Sequence, residues 1–189
     1  DVIVDDTPRA VVLSGFDPTR REIAKISLEK LIHDGRIHPG FIEQVVSKAQ
    51  EEMEDLILET GNQNLFELGI HGVRPELASL LGRLKYRMTC GQNALYHSRE
   101  VAELAGLMAE ELEMDVLLAK RCGLLHDIGK AADSGPEGTH TELGRELAKK
   151  YGEPPDVLEC IGIHDDNLET ANPITALIRA ADILSVSRP

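Results

Sequence analysis

Two short β-branched runs, Val2-Ile3-Val4 and Val11-Val12-Leu13, open the chain, and Asp5-Asp6-Thr7-Pro8-Arg9 between them reads as the polar turn of a hairpin. Asp17-Pro18 then predicts a helix start, with Asp17 as N-cap and Pro18 in the first turn. Ile23, Ile26, Leu31 and Ile32 form the expected apolar side of that helix, and Gly35 ends it. Two strands and one helix cannot bury both faces of a sheet, so this ββα piece is expected to belong to a larger unit.

From Pro39 onward the pattern predicts only helices. Ile42, Val45, Val46, Ala49, Met53, Leu56 and Ile57 keep a helical period, up to an expected break at Gly61-Asn62. Pro75-Glu76 opens a helix ending near Tyr86, and a further helix is expected from Gln92 to Leu112 with Leu95, Val101, Leu104, Ala105 and Met108 inward. Val116 to Ile128 reads as an apolar helix closed by Gly129. Thr139-His140-Thr141-Glu142 is a capping box that starts a helix reaching Tyr151. Pro154-Pro155 separates it from a helix over 157–164, and Asn172-Pro173 starts the last one, running to about Ser187. The fold class is therefore mainly α, a helical bundle behind a small ββα segment.

Composition narrows the class. Of 189 residues, 42% are hydrophobic but only 3% aromatic, so the core must rest on Leu, Ile, Val and Ala. No apolar stretch approaches ~18 residues, which predicts no membrane contact by this segment. Cys90, Cys122 and Cys160 are odd in number and form no CxxC pair, as expected of reduced cysteines in a cytoplasmic protein. A net charge of -13 argues against a broad phosphate-binding surface. Glu51, Glu52, Glu54, Asp55 and Glu59 carry much of it and read as a solvated helix face.

The chemistry concentrates at His126-Asp127-Ile128-Gly129-Lys130, which follows the apolar run Cys122-Gly123-Leu124-Leu125. A buried ionised Asp needs a cation or a hydrogen-bonded partner. Asp182 poses the same problem, because it shares the inward face of Ile174, Leu177, Ile178 and Ala181. A shared metal would supply the partner; an arginine such as Arg179 or Arg188 is the competing one. His97 lies near the apolar stripe of its helix, where a satisfied core histidine is the plainer alternative. His140 falls on the face of Leu143 and Leu147, with a solvent-exposed cap histidine as the alternative, and His164 ends the apolar run Cys160-Ile161-Gly162-Ile163. Lys130 and Arg179 are candidate phosphate-binding cations, or else surface charges.

Together, His97, His126-Asp127 and Asp182 resemble the metal set of the HD-domain phosphohydrolases. The resemblance extends along the chain to the ribonuclease Y family. Leu13-Ser14-Gly15-Phe16-Asp17-Pro18, Arg20-Arg21-Glu22-Ile23-Ala24 and Asp34-Gly35-Arg36-Ile37-His38-Pro39 carry it first. Leu81-Gly82-Arg83-Leu84-Lys85-Tyr86-Arg87 and Gly91-Gln92-Asn93 follow, then Ala148-Lys149-Lys150-Tyr151-Gly152-Glu153-Pro154 and Ser187-Arg188-Pro189. That family is a bacterial endoribonuclease with an N-terminal membrane helix, a coiled coil, a KH RNA-binding domain and an HD domain.

The resemblance implies residues 1–36 as the last ββα portion of a KH domain, 37–74 as a linking helical segment and 75–189 as an HD domain. It implies one or two divalent ions (Mn, Fe, Zn or Mg) on His97, His126, Asp127 and Asp182, with His140 and His164 holding a second ion and Asp127 bridging. Asp127 and Lys130 would be the catalytic groups, acting through a metal-activated water. Where the family usually has His-His-Gly-Asp, this chain has His164-Asp165-Asp166-Asn167, so Asp165 is a candidate near the second ion that would favour a harder metal. The expected substrate is RNA, in a protein held at the cytoplasmic face of the membrane by its anchor, with a homodimer as the allowed assembly. Two alternatives stand beside it: hydrolysis of a small nucleotide or cyclic dinucleotide, and a non-catalytic RNA-binding or scaffold module.

Overall fold

The computed structural model describes residues 2–4, 11–89, 91–132, 138–164 and 172–186, and within them the chain is mainly helical. It divides into two compact units, residues 1–56 and 57–189.

In the first unit, β1 (Val2–Val4) and β2 (Val11–Leu13) pair antiparallel, with Val2 opposite Leu13 and Val4 opposite Val11. The turn expected at Asp5–Arg9 lies outside the described residues. Helix α1 (Pro18–Asp34) starts as the sequence predicts: the Asp17 carboxylate accepts from the Thr19 and Arg20 amides, at 2.8 and 3.4 Å. Gly35, in the left-handed region at φ 82°, closes it by donating to the Leu31 carbonyl. Its buried positions are Ser27 and Leu31, four apart on one face. Ile32, expected inward, is 77% exposed, because one residue of rotation takes it about 100° off that face. Helix α2 (Pro39–Glu67) buries Ala49 and Met53, while Glu51, Glu52, Glu54, Asp55 and Glu59 all face solvent as expected.

The expected break at Gly61-Asn62 does not occur; α2 passes through it. A Cβ on Gly61 would lie 1.9 Å from the Ala78 carbonyl oxygen, and one on Gly82 would lie 1.8 Å from that of Ile57. These glycines let α2 and α3 (Pro75–Arg83) touch backbone to backbone, so the residue read as a stop is a packing residue. A 3-10 turn, Leu84–Tyr86, follows α3.

The expectation of helices alone after Pro39 also needs correcting. β3 (Met88–Thr89) and β4 (Gln92–Asn93) form a minute antiparallel hairpin, each strand too short to show a period of two. The next helix, α4 (Ala94–Glu111), therefore starts after Gln92. Asn93 is its N-cap, accepting from the Leu95 and Tyr96 amides at 3.1 and 3.3 Å.

Helix α5 (Val116–Leu125) stops three residues before its expected end, and a 3-10 turn covers Ile128–Ala131. The capping box forms in full at α6 (His140–Lys150), followed by α7 (Pro155–Ile163) and α8 (Pro173–Val186). Helix α4 packs along α5 and α8, while α6 lies on α7 and on the Ile128–Ala131 turn. Leu77, Leu81, Val101, Leu124, Ile161 and Ile178 are among the side chains that fill the core between them. Cys122 and Cys160 are buried free thiols; Cys90 lies outside the described residues.

One buried ion pair ties this bundle together. Arg121 on α5 grips Glu153 through Nε and Nη2, at 2.6 and 2.8 Å, and donates from Nη1 to the His71 carbonyl at 2.8 Å. Glu153 is 6% exposed, so removing its partner strands a charge. Arg121→Ala is expected to cost about 3–5 kcal/mol in urea denaturation. Gly82→Ala should cost about 1–3 kcal/mol, because the clash is with rigid backbone. Gly40→Ala, whose Cβ would meet nothing nearer than the His38 ring at 3.7 Å, should stay within about 0.5 kcal/mol of the parent chain.

Candidate metal centre

The His126-Asp127 pair is the turn between α5 and the 3-10 segment. His126 still has helical angles, whereas Asp127 sits at φ -98°, ψ 13°, the sparsely used region between helix and strand. The ladder tightens there, with the Lys130 amide donating to the Asp127 carbonyl at 2.9 Å. Gly129 explains what meets this turn: a Cβ on it would lie 1.8 Å from the His140 carbonyl oxygen. Its bare backbone lets the first turn of α6 settle on the motif and carries His140 to Asp127. His97 comes from α4, His164 follows the last residue of α7, and Asp182 comes from α8.

Asp127 is the hub, 1% exposed. Its Oδ2 lies 3.5 Å from His126 Nε2 and 3.8 Å from His97 Nε2. Its Oδ1 lies 3.5 Å from His140 Nε2 and 3.6 Å from His164 Nε2. Asp182 Oδ1 closes the first side, 3.0 Å from His97 Nε2 and 3.9 Å from His126 Nε2. The four imidazoles follow one another at centroid spacings of 5.2, 4.9 and 5.4 Å, in the order His97, His126, His164, His140.

The far nitrogens explain why Nε2 faces inward. His126 Nδ1 lies 2.7 Å from the Gly123 carbonyl and His164 Nδ1 lies 2.9 Å from the Ile161 carbonyl. A carbonyl can only accept, so both Nδ1 atoms carry the proton. Burial pushes the His126 imidazole down to about 4, which keeps it neutral and leaves a lone pair on Nε2. Burial alone would raise the Asp127 carboxyl, but its neighbours outweigh it, among them the Lys130 ammonium 2.6 Å from Oδ2, and the group lies well below the usual carboxylate range. Asp182 is likewise lowered, burial being outweighed by His97 and the other histidines.

Neither His126 Nε2 nor Asp127 Oδ1 has a hydrogen-bond partner among the described residues. Leaving a buried acceptor so costs about 1–3 kcal/mol. Lone pairs facing each other at 3–4 Å repel unless a proton or a cation lies between them. Two overlapping groups, His97 with His126 and Asp182, and His126 with Asp127 and His164, can each place three ligand atoms within 4.8 Å of one another. Imidazole plus carboxylate suits Mn, Fe, Zn or Co better than Ca. The donor set fits a divalent transition metal.

His97, His126, Asp127, His140, His164 and Asp182 thus converge as candidates. Lys130 joins them through Asp127, with Nζ 2.6 Å from Oδ2. Arg179 does not pair with Asp182; its Nε and Nη2 donate to the Ile163 carbonyl at 3.1 and 2.5 Å, at the end of α7 beside His164. Asp165 and Arg188 lie outside the described residues. Two residues escaped the sequence reading. Ser185, fully buried on α8, places Oγ 3.0 Å from His97 Nδ1 and donates to Glu100 Oε2 at 2.7 Å. The available signal was spacing: Ser185 is three residues after Asp182 on the same helix.

The profile of the HD domain matches residues 94–187, the span that holds all six of these ligand candidates. No solved structure matches the chain significantly. Curated relatives do: the protein named Ribonuclease Y of Geobacter metallireducens is 56% identical over all 189 residues, which cover 36% of that relative. Its namesake in Bacillus licheniformis is 57% identical over the whole chain and 36% of its own length, and that of Clostridium kluyveri 58% and 37%. The chain therefore spans little more than a third of the relatives it matches. With identity sustained from end to end and the HD profile falling on the helices that carry the histidines, the chain belongs to the ribonuclease Y family.

Proposed function

We propose that this chain carries the catalytic centre of a metal-dependent phosphodiesterase that cuts RNA internally. The observation behind this reading is the convergence of four histidines on one buried carboxylate, two of whose neighbouring acceptor atoms find no hydrogen-bond donor. The name carried by its relatives favours RNA as substrate. In the domain scheme, residues 1–36 end a KH domain, 37–74 link it onward and 75–189 form the HD domain. The second compact unit, beginning at Ile57, takes in the end of the linking helix.

In this reading His97, His126, Asp127 and Asp182 would hold one ion, and His140 and His164, sharing Asp127, would hold a second. A divalent ion there supplies Lewis acidity toward a phosphoryl oxygen and acidifies a water. The protein's own part is to keep the ligand nitrogens neutral, their lone pairs aligned and the carboxylate ionised. Lys130 spends one N–H on Asp127 and keeps two, which are assigned to a phosphate oxygen. Arg179 acts as a brace for the end of α7. A small-nucleotide substrate is the second reading, favoured by the net charge of -13.

Incubating the metal-loaded protein with 5′-labelled RNA and with linear and cyclic dinucleotides separates the two. Internal cuts in RNA support the first reading, release from dinucleotides alone supports the second, and no turnover with any metal sinks both. Asp127→Asn and His126→Ala are each expected to lower turnover more than ~100-fold, beyond the usual effect of a group that merely supports a ligand. Asp127→Asn should be the worse, since both of its oxygens are used. Helical circular dichroism should be unchanged, and near-parental rates at saturating metal would refute the assignment. RNA binding should be weak and only mildly salt-dependent, with log K falling by about 0.7–0.9 per phosphate contacted and few contacts in total. A steep slope with sub-micromolar affinity would contradict this.

A further inference from the structure

His126 and His164 have their protons placed by main-chain carbonyls, which leaves no choice of tautomer. His97 is different. Its Nδ1 faces a hydroxyl, Ser185 Oγ, 3.0 Å away, and a hydroxyl can donate or accept. Taken alone, that contact allows either tautomer. The next contact removes the freedom: Ser185 gives its single hydrogen to Glu100 Oε2, at 2.7 Å. With that hydrogen spent, Oγ can only accept, so Nδ1 must carry the proton and Nε2 must be the atom turned to Asp182 and Asp127.

We infer that Ser185 and Glu100 are positioning residues for His97, a hydroxyl–carboxylate relay that fixes the proton on Nδ1 and so makes Nε2 the metal-ligating atom. Both members are held in place. Ser185 is fully buried, and its own carbonyl accepts from Gln92 Nε2 at 3.1 Å, which ties the end of α8 to the strand preceding α4. Glu100 sits on α4, three residues after His97. The relay thus joins the two helices that supply the first side of the site, and it does for His97 what a backbone carbonyl does for the other two. Partners of this kind set the orientation and basicity of a metal-bound imidazole and are typically worth 10–100-fold in metal affinity.

The inference deepens the metal-centre reading and rests on it for the role of Nε2, but the placement of the proton can be read separately. Two-bond 1H–15N correlation spectra of the histidine rings report which nitrogen is protonated, and they can be recorded on the metal-free and the Zn-loaded protein. The expected result is a solvent-protected proton on His97 Nδ1 in both. Ser185→Ala and Glu100→Leu should each abolish that protection and weaken Zn binding by about 10–100-fold in chelator competition. Glu100→Leu keeps much of the side chain's bulk without an acceptor for the Ser185 hydrogen, and decides the matter should Ser185→Ala fold poorly. A bare Nδ1 on His97 in the parent protein overturns the inference, as does a Zn affinity within twofold of the parent in both variants. Failure of the parent protein to take up Zn would count against the metal reading while leaving the Nδ1 assignment to be judged from the metal-free spectrum. Failure to cut RNA would touch neither.

Discussion

A single buried carboxylate organises this molecule. Asp127 is almost wholly withdrawn from water, and its charge survives only because cationic and polar groups surround it on every element that reaches the turn. Taking an ion out of water is expensive enough that its surroundings must be built around it. The helices arrange accordingly: α4 approaches Oδ2 with His97, which α8 meets with Asp182, while α6 and the end of α7 approach Oδ1 with His140 and His164. The tight 3-10 turn and the bare backbone of Gly129 make room for that approach.

Orientation matters as much as proximity. An imidazole offers two nitrogens, and a site built of four imidazoles would be disordered if each ring could flip its proton. Main-chain carbonyls one turn back settle the matter for His126 and His164, at the ends of α5 and α7. Those carbonyls are left over where a helix stops, so placing a ligand histidine just past a helix end satisfies an orphan acceptor and fixes a tautomer together. His97 sits in the first turn of α4, where the carbonyls are taken up by the helix that follows, and relies on side chains instead.

The site was more legible in the sequence than the backbone around it, for a physical reason. Charged residues on apolar faces stand out against a helical period, and Asp182 was found by that contrast, as was His126-Asp127 at the end of an apolar run. Ser185 carried no such contrast, since a serine is unremarkable on either face. Glycine was the main source of error. Gly61 reads as a stop, but the structure uses it for contact with α3; Gly129 reads as the end of α5, which stops earlier at the motif itself. A glycine's role depends on what lies opposite, and that is a long-range fact. The β3–β4 hairpin was missed because two residues cannot display a period, and Ile32 because an apolar residue beside a helical stripe is indistinguishable from one within it.

The contact between His97 and Ser185 joins residues 88 apart in sequence. Closing a loop of that length costs chain entropy before any reward is gained, and the side of the centre built on α4 and α8 depends on it. His126, Asp127, His140 and His164 come from one stretch of chain, whereas His97 and Asp182 meet them only when α4 and α8 pack together, so that side of the centre has no local precursor. An ion that binds only the finished arrangement draws the equilibrium toward it. With an ion held as proposed, metal supply and the packing of α8 would be linked quantities, each favouring the other.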